Sequence, residues 1–134
     1  MEQFNQLIVL LMAIEGKAKD IHYTCSGANF YGNHLFADRI ADGIDDFIDS
    51  IKETCILGHG EKPLIAADYY IGAGHKLYSG VTFETLLELI IECLDHIEKM
   101  KNLSRGDNKL LDDIAGKLQN DKGLLEIMFG EKDV

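Results

Sequence analysis

Apolar residues recur every three or four positions along four long stretches of this chain, and nowhere does it alternate polar and apolar as a half-buried strand does. This period commits the chain to helices. The first stretch runs from about Gln3 to Thr24, with Leu7, Leu11, Ile14, Ala18 and Ile21 on one stripe, and Ser26 with Gly27 breaks it. The second runs from Asn29 or Phe30 to Leu57, carries Ile40, Ile44, Phe47, Ile48 and Ile51, and ends at Gly58 and Gly60. A linker from Gly58 to Gly80 holds the only proline, Pro63, and a short helix is expected in it over Leu64 to Ile71. The third helix is expected from Thr82, its cap, to Ser104, with Glu84 at the start and Lys99, Lys101 and Arg105 near the end, where they complement the macrodipole. Gly106 is expected to stop it. Asp107 would then cap a fourth helix through Leu110, Leu111, Ile114, Leu118, Leu124, Ile127 and Met128. Two hairpins of long helices joined by one long crossover make an all-α four-helix bundle.

The chain has 134 residues, which suits a single domain over 1–134 with a core that needs no staples. A net charge of −10 repels nucleic-acid phosphates and acidic membranes and attracts cations. Cys25, Cys55 and Cys93 are odd in number, widely spaced and free of CxxC pairing, so buried thiols in a reducing cytoplasm are expected rather than a disulfide framework or zinc knuckle. The apolar run Leu7 to Ile14 is too short for a membrane span and lacks a basic leader. Gly72, Ala73 and Gly74 follow no strand and precede no Gly-Lys-Ser/Thr, which sets nucleotide binding aside.

Five metal-capable side chains stand at fixed intervals: His22, His34, Asp38, Asp49 and Glu53. His34 and Asp38 are four residues apart, as are Asp49 and Glu53, so on a helix each couple projects from one face. The step from Asp38 to Asp49 spans about 16 Å of helix, too far for both couples to clasp one ion within a chain. It is also about three turns, which would keep all four groups on one stripe of a continuous helix. Two copies crossing antiparallel about a two-fold axis would set His34 and Asp38 of one against Glu53 and Asp49 of the other. The crossing centre falls between Gly43 and Ile44, where a residue without a side chain would permit close backbone approach. An isologous dimer with two shared metal sites follows. The competing reading is that Asp38, Asp42, Asp45, Asp46, Asp49 and Glu53 form only a solvated acidic face.

The segment containing His22, then Gly27, Ala28, Asn29 and Phe30, then His34, Asp38, Asp49 and Glu53 resembles the signature of the Dps family, the miniferritins of the ferritin-like superfamily. The likeness covers roughly residues 18 to 57. It implies a ferritin-like bundle assembled as a hollow dodecamer, with Fe(II) oxidised by hydrogen peroxide or oxygen at sites between two-fold-related subunits and stored as ferric mineral. His22, His34 and Asp38 would come from one subunit and Asp49 and Glu53 from its mate. The family commonly has tryptophan directly after the first ligand histidine; this chain has Tyr23, a candidate electron donor or packed aromatic, and no tryptophan.

Mixed imidazole and carboxylate donors suit ferrous iron, and hard carboxylate oxygens favour the ferric product. On that reading Glu53 bridges two irons, Asp38 and Asp49 are terminal ligands, and His22 and His34 supply nitrogen. Asp42, Asp45 and Asp46 are candidates for supporting or nucleating carboxylates, and Asp107, Asp112 and Asp113 for an entry channel by family likeness, against capping and surface roles. His59, His75 and His96 belong to no ligand couple and are expected to be surface or satisfied histidines. A non-catalytic helical assembly protein, or one holding zinc or manganese at the same donors, would share these features. The chain starts close to its first helix and ends in Glu131, Lys132 and Asp133, without the lysine-rich tail by which many relatives bind DNA. No retardation of DNA is therefore expected in a gel shift at low salt without divalent metal; a shifted band would overturn the electrostatic argument.

Overall fold

Every apolar residue on the stripe of the first helix is buried, because α1 (Glu2–Thr24) packs against four other helices. The computed structural model describes residues 1–130; Glu131, Lys132 and Asp133 lie outside the described residues. Around α1 stand α2 (Phe30–Ala41), α3 (Ile44–His59), α4 (Ala66–Leu77) and α5 (Phe83–Lys99), and α6 (Arg105–Met128) closes the bundle against α5 and α3. Leu7, Ile8, Leu11 and Ile14 meet Ile40, Ile44, Ile51, Leu86, Ile90, Ile114 and Leu118 in one core. Each such aliphatic side chain contributes roughly 2 kcal/mol by leaving water. Cys55 and Cys93 are buried thiols, as expected, and burial pushes Cys93 up to about 12; Cys25 is only half buried. Among the described residues there is no strand, and no helix is long and apolar enough to cross a membrane.

The expected continuous helix from Phe30 to Leu57 is two helices. Asp42 is extended (φ −63°, ψ 133°) and Gly43 is left-handed (φ 83°, ψ −8°), so the chain turns between α2 and α3. Glycine is the residue that takes this conformation without a Cβ clash. A Cβ on Gly43 would meet nothing within 4 Å, so its backbone angle, rather than close approach inside the chain, explains the residue. The break leaves carbonyls at the end of α2 without helical partners. One of them is met from across the bundle: Lys117 of α6 donates to the Ile40 oxygen at 3.0 Å and to Asp121 Oδ2 at 2.7 Å. Asp121 is almost wholly buried, which raises its carboxyl despite the opposing pull of Lys117 and Arg39.

The crossover carries a longer helix than Leu64 to Ile71, and two polar groups of α1 pin its ends. At the start of α4 the buried Tyr69 hydroxyl accepts the Leu64 N–H at 3.0 Å and donates to Asn5 Oδ1 at 2.6 Å. At its end the buried Lys17 ammonium donates to the Leu77 oxygen at 3.1 Å, to Ser79 Oγ at 2.9 Å and to the Gly80 oxygen. All three of its protons are used, which is what makes a buried lysine tolerable. Asn5 and Lys17 lie on the stripe side of a helix whose pattern marks only its apolar residues.

Two boundaries move. α5 ends at Lys99, not Ser104, with buried Met100 turning the chain inward and Asn102 at φ 60°. Thr82 caps α5 as expected, reciprocally with Thr85. Ser104 caps α6 in a capping box with Asp107, so Gly106 and Arg105 belong to the first turn of α6, and Asp107 is its third residue rather than its cap. Asp107 is 1% exposed and also accepts from His59 Nε2 at 3.0 and 2.9 Å, tying the end of α3 to the start of α6. Burial alone would raise its carboxyl; the Ser104 N–H and the His59 ring outweigh that and hold it below the usual carboxylate range. A carboxyl depressed in the folded state adds stability that is complete above its unfolded value, about pH 4, and is lost as pH falls through the folded value. Asp107→Asn should therefore cost about 2 kcal/mol near neutral pH and flatten the acid limb of urea midpoint against pH, whereas an unchanged limb would mean that acid acts elsewhere.

Candidate metal centre

A tight turn brings the two histidines together. α1 ends at Thr24, Cys25 is extended, and Gly27 at φ 92° reverses the chain so that the Phe30 N–H reaches the Gly27 oxygen at 3.1 Å. α2 then runs back along α1. This places His22 and His34 face to face, with ring centroids 3.6 Å apart and planes inclined by 16°. Their bonding is reciprocal: His22 Nδ1 donates to the His34 carbonyl oxygen at 2.7 Å, and His34 Nδ1 donates to the His22 carbonyl oxygen at 2.6 Å. A carbonyl oxygen accepts only, so the proton must sit on each Nδ1, and in the neutral ring each Nε2 keeps a lone pair. Phe30 stacks on His34 with ring centroids 5.0 Å apart, and the rings of Tyr23 and His22 meet edge to face at 4.9 Å. Tyr23 is itself 74% exposed.

Asp38 stands one turn beyond His34 on α2. Its Oδ1 is paired with the Lys19 ammonium at 2.8 Å, and both side chains are nearly half exposed. The hydrogen bond from Lys19 and then its charge hold the Asp38 carboxyl below its ordinary value, with smaller help from His22 and His34. His22, His34 and Asp38 are thus neighbours at one end of the α1–α2 hairpin. Within a single chain, however, no three His, Cys, Asp or Glu side chains among the described residues converge where a metal ion would fit.

Asp49 and Glu53 lie on α3, beyond the break, and both are exposed. Asp49 borders a cavity of about 490 Å³ between α1, α3 and α4, together with Glu15, Asp45, Lys52 and Tyr70. Glu53 borders a second hollow on the α6 side with Ser50, Leu57 and Ser104. Burial, followed by the hydrogen bond and charge of Asp45, pushes Glu15 up to about 7 against the pull of Lys19. The break therefore separates the two donor couples onto different helices and removes the single continuous stripe expected for them.

Asp42, Asp45 and Asp46 are exposed at the break and in the first turn of α3, and Asp112 and Asp113 are exposed on α6. Asp107 is withdrawn from any entry channel, because it is buried in the α6 cap and held by His59. His96 is satisfied by the Gln3 oxygen at 2.7 Å, and His75 is exposed. Lys19 and Glu15 escaped the sequence reading; Lys19 lies three residues before His22, one turn back on the same face, which is the signal that it belongs beside the donors. The chain matches no known family model and no curated protein.

Lys19 offers Asp38 a tethered positive charge that any divalent cation must displace or share. Lys19→Met should therefore tighten Zn2+ binding several-fold, measured by titration calorimetry at low salt. Equal or weaker binding would show that the hold of Lys19 on Asp38 serves the site rather than competing with it.

Proposed function

We propose that the protein is a ferroxidase and iron-storing miniferritin of the ferritin-like fold, with His22, His34 and Asp38 of one subunit and Asp49 and Glu53 of a two-fold mate as its iron ligands. The observation that carries this reading is the reciprocal bond between the histidines. Each ring is oriented by the other's backbone, and each is fixed in the tautomer that presents Nε2 to a metal, which is how metal-ligating histidines are usually prepared.

The incomplete donor set in one chain is what a shared site requires. Asp49 and Glu53 are exposed and stand on a different helix from the histidines, so both are open to another molecule's histidine end. Large apolar side chains on the same subunit, Tyr31, Leu35, Ile65, Tyr70 and Ile71, are each more than 45% exposed, the kind of surface that a subunit contact covers. Twelve such subunits would close the shell that the resemblance implies.

The chemistry follows from the donors. Imidazole nitrogen and carboxylate oxygen hold Fe(II), and the oxygens stabilise Fe(III), so oxidation is favoured at the site. Two ferrous ions give one electron each to a peroxide, whose O–O bond breaks to two hydroxides, and no hydroxyl radical is released. On this reading Glu53 would bridge the two ions, and Asp38 and Asp49 would be terminal carboxylates. Surplus negative charge on the acidic chain draws ferrous iron in and favours ferric mineral.

Anaerobic loading with Fe(II) followed by peroxide, with ferric absorbance recorded, tests this. The wild type should oxidise iron much faster than buffer, and His34→Ala/Asp38→Ala should return the rate to that of buffer while the helical circular dichroism persists. Equal rates for the two proteins would reject the ferroxidase and leave a helical assembly protein.

A further inference from the structure

The two donor couples are carried by α2 and α3, and the angle between these helices decides whether they meet the complementary couples of a mate. That angle is made at Asp42 and Gly43, where the local bonds are backbone ones, Asp42 N–H to the Asp38 oxygen at 3.0 Å and Phe47 N–H to the Gly43 oxygen at 3.3 Å, and no side chain caps the start of α3. Ile40 and Ile44 are buried in the core on either side of the turn, and the one long-range side-chain bond to it comes from α6. Lys117 Nζ reaches the Ile40 oxygen at 3.0 Å over a sequence separation of 77 residues, and is itself anchored by Asp121 Oδ2 at 2.7 Å. Asp121 is 3% exposed. A buried ion pair is poor at stabilising a fold for its own sake, since hydrophobic replacement is often as good, and its best-attested use is to set one arrangement among several. Here the pair ends on the one backbone oxygen at the break that a straightened helix would reclaim for the N–H of Ile44.

We propose that Lys117, positioned by Asp121, is a positioning residue for the metal seam: it locks the bend between α2 and α3 and so sets Asp49 and Glu53 at the register where a mate's His22, His34 and Asp38 meet them. This rests on the shared iron site proposed above. It touches no donor, so its effect passes through helix orientation alone. Gly43 permits the bend and Lys117 selects it, because a glycine at φ 83° is equally free to adopt helical angles.

The test uses Lys117→Met/Asp121→Asn, which removes the staple without leaving an unpaired buried charge. Cobalt(II) is titrated anaerobically into the intact assembled protein, with affinity and visible ligand-field spectrum recorded beside melting temperature and circular dichroism. Lys122→Met is the control, since Lys122 forms its own pair with Glu126 at 3.1 Å on the same helix, beyond the staple. The double variant is expected to bind Co(II) at least about tenfold more weakly, with an altered spectrum, the scale seen when groups that orient ligands are removed. Helix content should stay at the wild-type level, the control should bind normally, and Lys117→Arg, which keeps a donor for both oxygens, should restore the site. A double variant with wild-type affinity and spectrum would overturn the role of Lys117 alone, as would one that no longer folds, because the pair would then serve the whole bundle. A wild type without a cobalt site would overturn the ferroxidase reading itself, and this proposal with it.

Discussion

α1 is surrounded, and the rest of the molecule is arranged to meet the demands of its burial. A helix packed against α2, α3, α4 and α5 buries most of its length, and Asn5 and Lys17 fall on the buried side. Its two buried polar residues must therefore be answered by protein. Asn5 is answered by Tyr69, and Lys17 by the Leu77 and Gly80 carbonyls and Ser79. These bonds fasten the crossover at both ends, and the crossover in turn lets α5 return alongside α1 with its own apolar face inward. Leaving either group unanswered would cost on the order of 1–3 kcal/mol or more.

Polar staples of this kind recur at several helix ends. Lys17 ends α4, Lys117 serves the end of α2, and His59 with Ser104 secures Asp107 at the start of α6. Helix termini leave several backbone groups without partners, and a bundle that buries its termini must find partners for them elsewhere in the chain. The separations of 48 to 77 residues show that these are tertiary solutions. They also divide the labour. Apolar stripes hold the helices together without direction, whereas each staple fixes where a helix ends and which way the next one leaves.

The candidate metal centre uses the same device on a smaller scale. Backbone carbonyls near the end of α1 and the start of α2 orient two imidazoles, so the geometry of these candidate ligands is set by the turn that joins their helices. Gly27 makes that turn, and the donors on α3 depend on a second glycine turn at Gly43. Lys19 adds a positive charge where a metal would bring one, and so holds Asp38 ready while opposing its use. The proposed function thus rests on two hinges and the groups that set them.

Helical period, Thr82 as a cap and the break at Ser26 and Gly27 were legible in the chain itself, because each depends on neighbours within a turn or two. Gly43 was legible as an anomaly but not as a break, since a lone glycine inside an apolar period is tolerated in many helices and turns the chain only where its angles are held from outside. The early end of α5, the Ser104 cap and the withdrawal of Asp107 into the pair with His59 had the same cause: residues 100 to 107 carry several competing helix signals, and burial of Met100 and Asp107 decides among them. Sequence determined which residues are helical, and it marked the candidate donors, through short-range geometry. Only the tertiary structure decided where helices bend, that Lys17 is buried and which candidate donors stand together, because those choices are made by partners far along the chain.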